Sequence, residues 1–421
     1  MRRFLFVLIP ALMALFVVVA FLFMAQGGFE PFRVPRGAPT ALDNDAALVA
    51  RGRYLAGIGN CAACHTRRGG SAYAGGRPFP NAYGTLYSPN ITSDSEHGIG
   101  DWSVEEFVHT MRFGVSRHGV QYPAFPYQQF ARMSDADLKA LYAYLRTVAP
   151  STENAPANEL AFPASSRTAL IVLRMLYERP VAHSDAAADT GAYLVESIGH
   201  CSACHSGRDS KGVFIAGEHL AGGTMPFGGW NAPALDNQAL SRFSEQELAD
   251  YLRSGSTLHG AAYGPMAETI FGGLHVLTPD DAQAMARYLK QRPALRVAQQ
   301  PVMPNSTVGR ETVSGADIYH HACAACHGDD GEGKAGKYPA LRESAAVTAE
   351  DPTNLLRLML YGAVAPTTSG NPQPYSMPPF VYQLKREEIA AVANHVREHF
   401  GQRHSALTAA EIRAHEGIVL Q

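Results

Sequence analysis

Three copies of one short motif constrain this chain more than any other feature. All six cysteines lie in CAACH at Cys61–His65, CSACH at Cys201–His205 and CAACH at Cys323–His327. C-x-x-C-H is the attachment site of a c-type haem, whose vinyl groups bind the two thiols while the next imidazole binds the iron. The motifs predict three covalently attached haem c groups. The predicted attachment residues are Cys61, Cys64, Cys201, Cys204, Cys323 and Cys326, and the predicted iron ligands are His65, His205 and His327.

Two other uses of paired cysteines explain the pattern less well. A thioredoxin-like redox pair needs no histidine after its second cysteine. A zinc site needs ligands that converge from several motifs within one domain. Neither alternative accounts for three identical motifs spread along the chain.

The surroundings of the motifs also repeat, which is typical of tandem domains. The runs RGRYLAGIGN, TGAYLVESIGH and SGADIYHHA precede the motifs, and long Gly- and Pro-rich stretches follow them. Each repeat then closes with an amphipathic helix, predicted at 134–147, 278–292 and 385–400, with Ser134 and Thr278 as N-caps. This plan predicts a mainly α fold of three tandem class I cytochrome c domains at residues 40–150, 185–292 and 308–402.

The N-terminus begins with two arginines followed by an apolar run from Phe4 to Ala25. As a helix, this run would span about 33 Å, enough to cross a bilayer. Its length and the absence of a good cleavage site favour an uncleaved transmembrane helix within residues 1–30 over a cleaved signal peptide. We therefore expect an inner-membrane protein, anchored at its N-terminus, with the haem domains facing the periplasm.

A methionine sulfur is the expected second axial ligand of each iron, because His/Met ligation raises the reduction potential. The second repeat offers Met266 in AYGPMAE, and the third offers Met377 in YSMPPF. The flanking prolines favour ligation over the alternative that each is an ordinary core methionine.

The first repeat has no methionine at the matching position. Aligning the His-Gly pair at 118–119 with that at 259–260 places Phe125 opposite Met266. A phenyl ring has no lone pair and cannot ligate iron. Three explanations stay open: another methionine ligates, a histidine ligates, or the iron has five ligands. The candidate substitutes are Met133, Met111, His118 and His109.

Each ligating histidine also needs an acceptor for its Nδ1–H, which fixes the orientation of the ring. The sequence suggests backbone carbonyls near Pro89 in YSPNIT, Pro233 in NAPAL and Pro339 in KYPAL.

These motifs together resemble the three-haem cytochrome c subunit of bacterial membrane-bound dehydrogenases. The resemblance rests on the CxxCH units with YSPNITSD, GIGDWSVEEFV, YPAFPY, AYGPMAE and CAACHGDDGEGKAGKYPAL, and covers residues 45–400. It implies a subunit that takes electrons from a dehydrogenase catalytic subunit of the PQQ, flavin or molybdenum type. It also implies an acceptor, either membrane ubiquinone or a downstream cytochrome or oxidase. Phe125 departs from the methionine that many alcohol dehydrogenase members carry.

The composition supports this function class. The net charge is −3 and no long basic run occurs, so no nucleic-acid partner is expected. No dinucleotide-binding or P-loop motif is present in the sequence, so we expect an electron-transfer subunit without catalytic chemistry of its own. The alternatives are a haem enzyme or gas sensor with an open iron at the first haem, or a freestanding membrane-tethered electron shuttle.

Overall fold

The computed structural model describes residues 33–39, 45–177, 189–209, 212–225, 228–257, 260–294, 314–334, 337–342 and 344–416. Within these residues the fold is mainly α, as predicted, and the strands are only two to four residues long.

The helices fall into three stretches of chain. The first stretch contains α1 (Ala46–Ile58), α2 (Cys61–Cys64), α3 (Val104–Phe113), α4 (Tyr127–Phe130), α5 (Asp135–Leu145) and α6 (Arg167–Tyr177). The second contains α7 (Thr190–Glu196), α8 (Ser202–His205), α9 (Glu245–Ser254), α10 (Gly264–Gly272) and α11 (Pro279–Gln291), with a 3₁₀ turn at Leu274–Val276. The third contains α12 (Gly315–Ala322), α13 (Ala324–His327), α14 (Ala345–Thr348), α15 (Thr353–Tyr361), α16 (Arg386–His399) and α17 (Ala409–His415), with a 3₁₀ turn at Phe380–Tyr382.

All strand pairs are antiparallel. β1 (Pro78–Asn81), β2 (Gly84–Tyr87) and β5 (Glu159–Leu160) form a sheet in the order β1-β2-β5, in which Phe79 is opposite Leu86 and Thr85 is opposite Glu159. The two-stranded pairs are β3 (Val115–Ser116) with β4 (Gly119–Val120), β6 (Gly223–Thr224) with β7 (Asn231–Ala232), β8 (Ser256–Thr257) with β9 (Gly260–Ala261) and β10 (Ala363–Val364) with β11 (Ser376–Met377).

The three predicted closing helices are confirmed as α5, α11 and α16. Ser134 caps α5 by accepting a hydrogen bond of 3.1 Å from the backbone N–H of Asp137. Thr278 caps α11 in the same way, with 3.1 Å to the N–H of Asp281. Both caps satisfy a backbone donor that the first helical turn leaves unpaired.

Each closing helix packs against the helix that precedes a CxxCH motif, and a glycine lies at each contact. A Cβ placed on these glycines would lie only 1.9–2.2 Å from a carbonyl oxygen of the closing helix. The pairs are Gly52 with Ala140, Gly191 with Ala284 and Gly315 with Ala391. Only glycine permits so close an approach, because any larger residue would force the two helices apart.

One apolar core is shared by the first two stretches. It contains Leu55 and Ile58 from α1 together with Ile198 and Leu274 from the second stretch. The third stretch has a separate core around α15 and α16. Polar contacts join it to the second stretch: the Asn354 side chain donates to the backbone carbonyl of Asn231 at 2.7 Å and accepts from the N–H of the same residue at 3.0 Å.

The membrane-anchored localisation expected from the sequence requires a correction. Within the described ranges, no helix is both long enough and apolar enough to span a bilayer. The proposed anchor at residues 4–25 lies outside the described residues. Helix α6 carries several exposed apolar side chains, with Leu170 buried and Leu176 67% exposed, but its 11 residues are too few to cross a bilayer.

Candidate haem-attachment sites

The CxxCH motifs lie on the short helices α2, α8 and α13. In a helical turn, residues i, i+3 and i+4 share one face, so each pair of thiols projects on the same side as the following imidazole. A residue with left-handed backbone directly precedes each of the first two motifs, Asn60 at φ 52° and His200 at φ 39°. This turn redirects the chain sharply between the long helix and the attachment site.

The predicted acceptors of the three histidines are confirmed. The Nδ1 atoms of His65, His205 and His327 lie 2.8, 2.7 and 3.0 Å from the carbonyl oxygens of Pro89, Pro233 and Pro339. A carbonyl only accepts, so the proton is on Nδ1 and the Nε2 lone pair is left for a metal. Burial lowers the pKa of all three imidazoles, although the proline carbonyls oppose that change.

A glycine that the sequence did not single out completes each site. The N–H groups of Gly75, Gly222 and Gly333 donate to the carbonyls of His65, His205 and His327 at 2.7, 2.8 and 2.7 Å. All three glycines have φ between 68° and 84°, and a Cβ on any of them would meet the backbone of the proline loop within 3 Å. Each glycine therefore holds the proline carbonyl next to its histidine. Their offsets from the histidines are 10, 17 and 6 residues, so no regular spacing reveals them.

The thiols do not have the properties of redox-active cysteines. Burial raises the pKa of Cys61 and of Cys201 to about 12, and that of Cys323 to about 11. Reactive cysteines instead have lowered pKa values, because the thiolate is the nucleophile. Within the described part of the chain, no cluster of three or more His, Cys, Asp or Glu side chains is arranged to hold a metal ion.

One apolar cavity of about 380 Å³ joins the second and third attachment sites. It is lined by Cys201, Cys204, His205 and Met266, and by Cys323, Cys326, His327 and Met377. Met266 lies in the first turn of α10, and Met377 lies on β11. Thiols, imidazole and thioether around an apolar cavity form the donor set that a c-type haem requires, so these residues fit that group.

At the first site, the structure separates the candidate ligands by burial. Met133 is fully enclosed by protein at 0% exposure, while Met111 is 7% and His109 7% exposed. The ring of His109 packs 4.8 Å from that of Phe113, and the ring of His118 lies 6.3 Å from that of Trp102. Phe125 is partly buried and packs on the shared core, as Cys61 does.

The first and second attachment sites are in direct contact. Nε2 of His200, the residue before Cys201, lies 3.2 Å from the carbonyl oxygen of Gly59, two residues before Cys61. Arg77 donates to the carbonyl of Ala63 within the first motif at 2.7 Å, and to Oε2 of Glu268 on α10 at 2.9 Å. Helix α10, which carries Met266, is thereby tied to the first site.

A buried arginine near the second and third sites was also missed by sequence reasoning. Arg357 on α15 has 0% exposure, and none of its three guanidinium nitrogens has a hydrogen-bond partner. Burial lowers its pKa. Its neighbours Asn354 and Leu358 line the cavity. No sequence motif marks Arg357, because the residue that it contacts, Trp230, comes from a distant part of the chain.

Comparison with known proteins gives consistent matches. The cytochrome c family profile matches residues 49–149 and 312–399. The chain is 37% identical over 408 residues to the gluconate 2-dehydrogenase cytochrome c subunit of Pantoea cypripedii, covering 89% of this chain and 92% of that protein. It is 36% identical to the cytochrome c subunit of the alcohol dehydrogenase (quinone) of Gluconobacter oxydans, covering 87% and 81%. It is 34% identical to the fructose dehydrogenase cytochrome subunit of Gluconobacter japonicus, covering 89% and 84%.

Proposed function

Because the chain belongs to the family of dehydrogenase cytochrome c subunits, we propose that it is an electron-transfer subunit with three haem c groups. The haems are attached in three domains, at residues 40–150, 185–292 and 308–402. His65, His205 and His327 each bind one iron. Met266 and Met377 supply the opposite ligand to the second and third irons.

The observation that carries this proposal is the continuity between attachment sites. The first and second sites touch through His200 and Gly59, and the second and third open into one cavity. Electron transfer falls steeply with distance, so attachment sites that adjoin one another suit a relay. A chain that bound haem only for stability would not need this arrangement.

The donor in this proposal is the catalytic subunit of a dehydrogenase that uses PQQ, flavin or a molybdenum cofactor. The relatives are named for gluconate, alcohol and fructose dehydrogenases. The substrate class oxidised upstream is therefore an alcohol, polyol, sugar acid or aldehyde. The acceptor is ubiquinone or a downstream cytochrome or oxidase.

The proposed ligands also favour transfer over catalysis. An iron with both histidine and methionine ligands is closed to added molecules and has a raised reduction potential. Met266 and Met377 line the cavity that also holds His205 and His327, together with Met225, Met285 and Met359. Neither iron would bind a substrate directly.

Affinity purification of the tagged chain from its native host under mild conditions tests the proposed partnership. We expect a large subunit with PQQ, flavin or molybdopterin to co-purify, identified by mass spectrometry and cofactor analysis. Substrate added to this complex should reduce the haems. A three-haem protein recovered alone would contradict the proposal and favour the freestanding shuttle.

The haem count is tested separately by the pyridine haemochrome assay. We expect three haems per chain, and two in each of the variants Cys61→Ala, Cys201→Ala and Cys323→Ala. An unchanged count in any one variant would remove that motif from the set of attachment sites.

A further inference from the structure

The backbone shows which residues of the first stretch correspond to which residues of the second. Helices α3 and α9 both end at a left-handed glycine, Gly114 at φ 60° and Gly255 at φ 75°. A pair of antiparallel strands follows each glycine, and the second strands begin at Gly119 and Gly260 with the same pairing. Six residues after these glycines come Phe125 and Met266, respectively. Counted from the paired strands, Phe125 therefore aligns with Met266.

Phe125 is part of an aromatic cluster. Its ring centroid lies 5.5 Å from that of Phe130, which in turn makes an edge contact with His200 at 5.7 Å. Phe130 therefore connects Phe125 to the residue that precedes the second motif. Because the ring is apolar, it offers neither a ligand to iron nor a hydrogen bond to a bound molecule.

Met133 takes the place of a core leucine in the other stretches. It directly precedes the N-cap Ser134, as Leu277 precedes Thr278 in the second stretch. Leu277 is 2% exposed and Met133 is 0% exposed. Packing therefore accounts for Met133 without a role at the iron.

Met111 likewise occupies a position that is apolar in every stretch. It lies three residues before Gly114, as Leu252 lies three before Gly255 and Met359 three before Gly362. All three are buried, at 7%, 6% and 5% exposure. Leucine cannot ligate iron, so Leu252 shows that the second stretch needs only an apolar side chain at this position. Met111 can have the same packing role in the first stretch.

We infer that Phe125 takes the place of Met266 in the first stretch without supplying a ligand, which would leave one coordination position on the first iron open to a small diatomic molecule such as CO or NO. The inference rests on the proposed haem attachment at Cys61, Cys64 and His65. An apolar side chain at this place favours neutral diatomic ligands, because the activation of peroxide or dioxygen requires polar groups near the iron.

The test uses the full-length, haem-loaded protein and CO as the probe. After reduction, CO is titrated while the Soret difference spectrum is recorded, and the pyridine haemochrome assay gives the haem content. We expect one haem in three to bind CO, and the ferric protein to give a high-spin EPR signal from one haem. Three haems per chain without CO binding would overturn the inference and leave the proposed function intact. Fewer than three haems would instead count against the proposed function.

Variants assign the CO-binding haem. Phe125→Met should supply a thioether and abolish both CO binding and the high-spin signal, with no loss of haem. Phe113→Met is the matched control, because Phe113 is 38% exposed, and it should leave CO binding unchanged. Persistent CO binding in a folded Phe125→Met variant would overturn the assignment. The assignment would also be overturned if the wild-type protein bound no CO and the Met111→Leu variant did, because Met111 would then be the ligand.

Discussion

The guanidinium carbon of Arg357 lies 5.4 Å from the ring centroid of Trp230. Arg357 comes from α15 in the third stretch, whereas Trp230 lies three residues before Pro233, whose carbonyl orients His205. A fully buried cation without a hydrogen-bond partner is rare, because the charge is far better solvated in water. The contact with the indole face offsets part of that loss.

Arg357→Met should lower the reduction potential of one or more haems. A buried positive charge favours the reduced iron, which carries one positive charge less. For an assumed separation of about 15 Å and an effective dielectric constant near 20, a unit charge contributes about 1 kcal/mol, or roughly 50 mV for one electron. A spectroscopic redox titration measures this shift. Arg357→Lys is the control, since it keeps the charge; equal shifts in both variants would rule out an electrostatic origin.

Replacement of either proposed methionine ligand should lower one reduction potential. Met377→Ala and Met266→Ala each remove a thioether, which favours the reduced iron, and each should also make one haem able to bind CO. The redox titration should show one shifted component in each variant. Met285→Leu is the control, because Met285 is fully buried on α11 and lines the same cavity but is not a proposed ligand, so no component of the titration should shift in the same way. A titration curve that matches the wild type would remove that methionine from the ligand set.

Gly52→Ala should destabilise the first stretch. The added Cβ would lie 1.9 Å from the carbonyl oxygen of Ala140, so α1 and α5 would have to separate. Overpacking of this kind costs about 1–3 kcal/mol and should lower the midpoint of thermal unfolding measured by circular dichroism. Ala50→Ser, at an exposed position on the same helix, should change stability by less than about 0.5 kcal/mol. If both variants had the same midpoint of thermal unfolding, the close approach of α1 and α5 would not contribute to stability.

Glu196 should make the stability of the second stretch depend on acid pH. Burial alone would raise its pKa, but hydrogen bonds from His219 at 2.7 Å and Tyr288 at 2.8 Å, with the charge of Arg292, lower it below its usual value. A lowered pKa in the folded state stabilises the fold above the unfolded pKa, about 4.3 for glutamate. That stabilisation is lost as pH falls through the folded pKa.

The variant Glu196→Gln tests this dependence. It should lose about 1–3 kcal/mol at neutral pH, and its melting temperature should approach that of the wild type below about pH 4. The exposed Glu350 provides the control, since Glu350→Gln should melt like the wild type at every pH. A difference between Glu196→Gln and wild type that did not change with pH would show that the carboxylate charge is not responsible.

Several local features of this protein could be predicted from sequence. The motifs at Cys61, Cys201 and Cys323 each occupy five consecutive residues, so they are recognisable without a structure, and the haem attachment that they indicate stays a prediction. The closing helices were predictable because their caps and apolar periodicity are local properties, as at Ser134. The acceptors of the histidines were predictable from nearby prolines. The membrane-anchored localisation was wrong, because no helix in the described part of the chain is both long enough and apolar enough to span a bilayer.

Only the tertiary structure decided which distant residues meet. Gly75, Gly222 and Gly333 occupy equivalent places although loops of different length separate them from their histidines, so spacing conceals them. The pairing of Arg357 with Trp230 joins residues more than a hundred positions apart. The burial of Met133 depends on packing against several helices at once. Such contacts follow from the mutual fit of side chains across the whole fold, which no short stretch of sequence encodes.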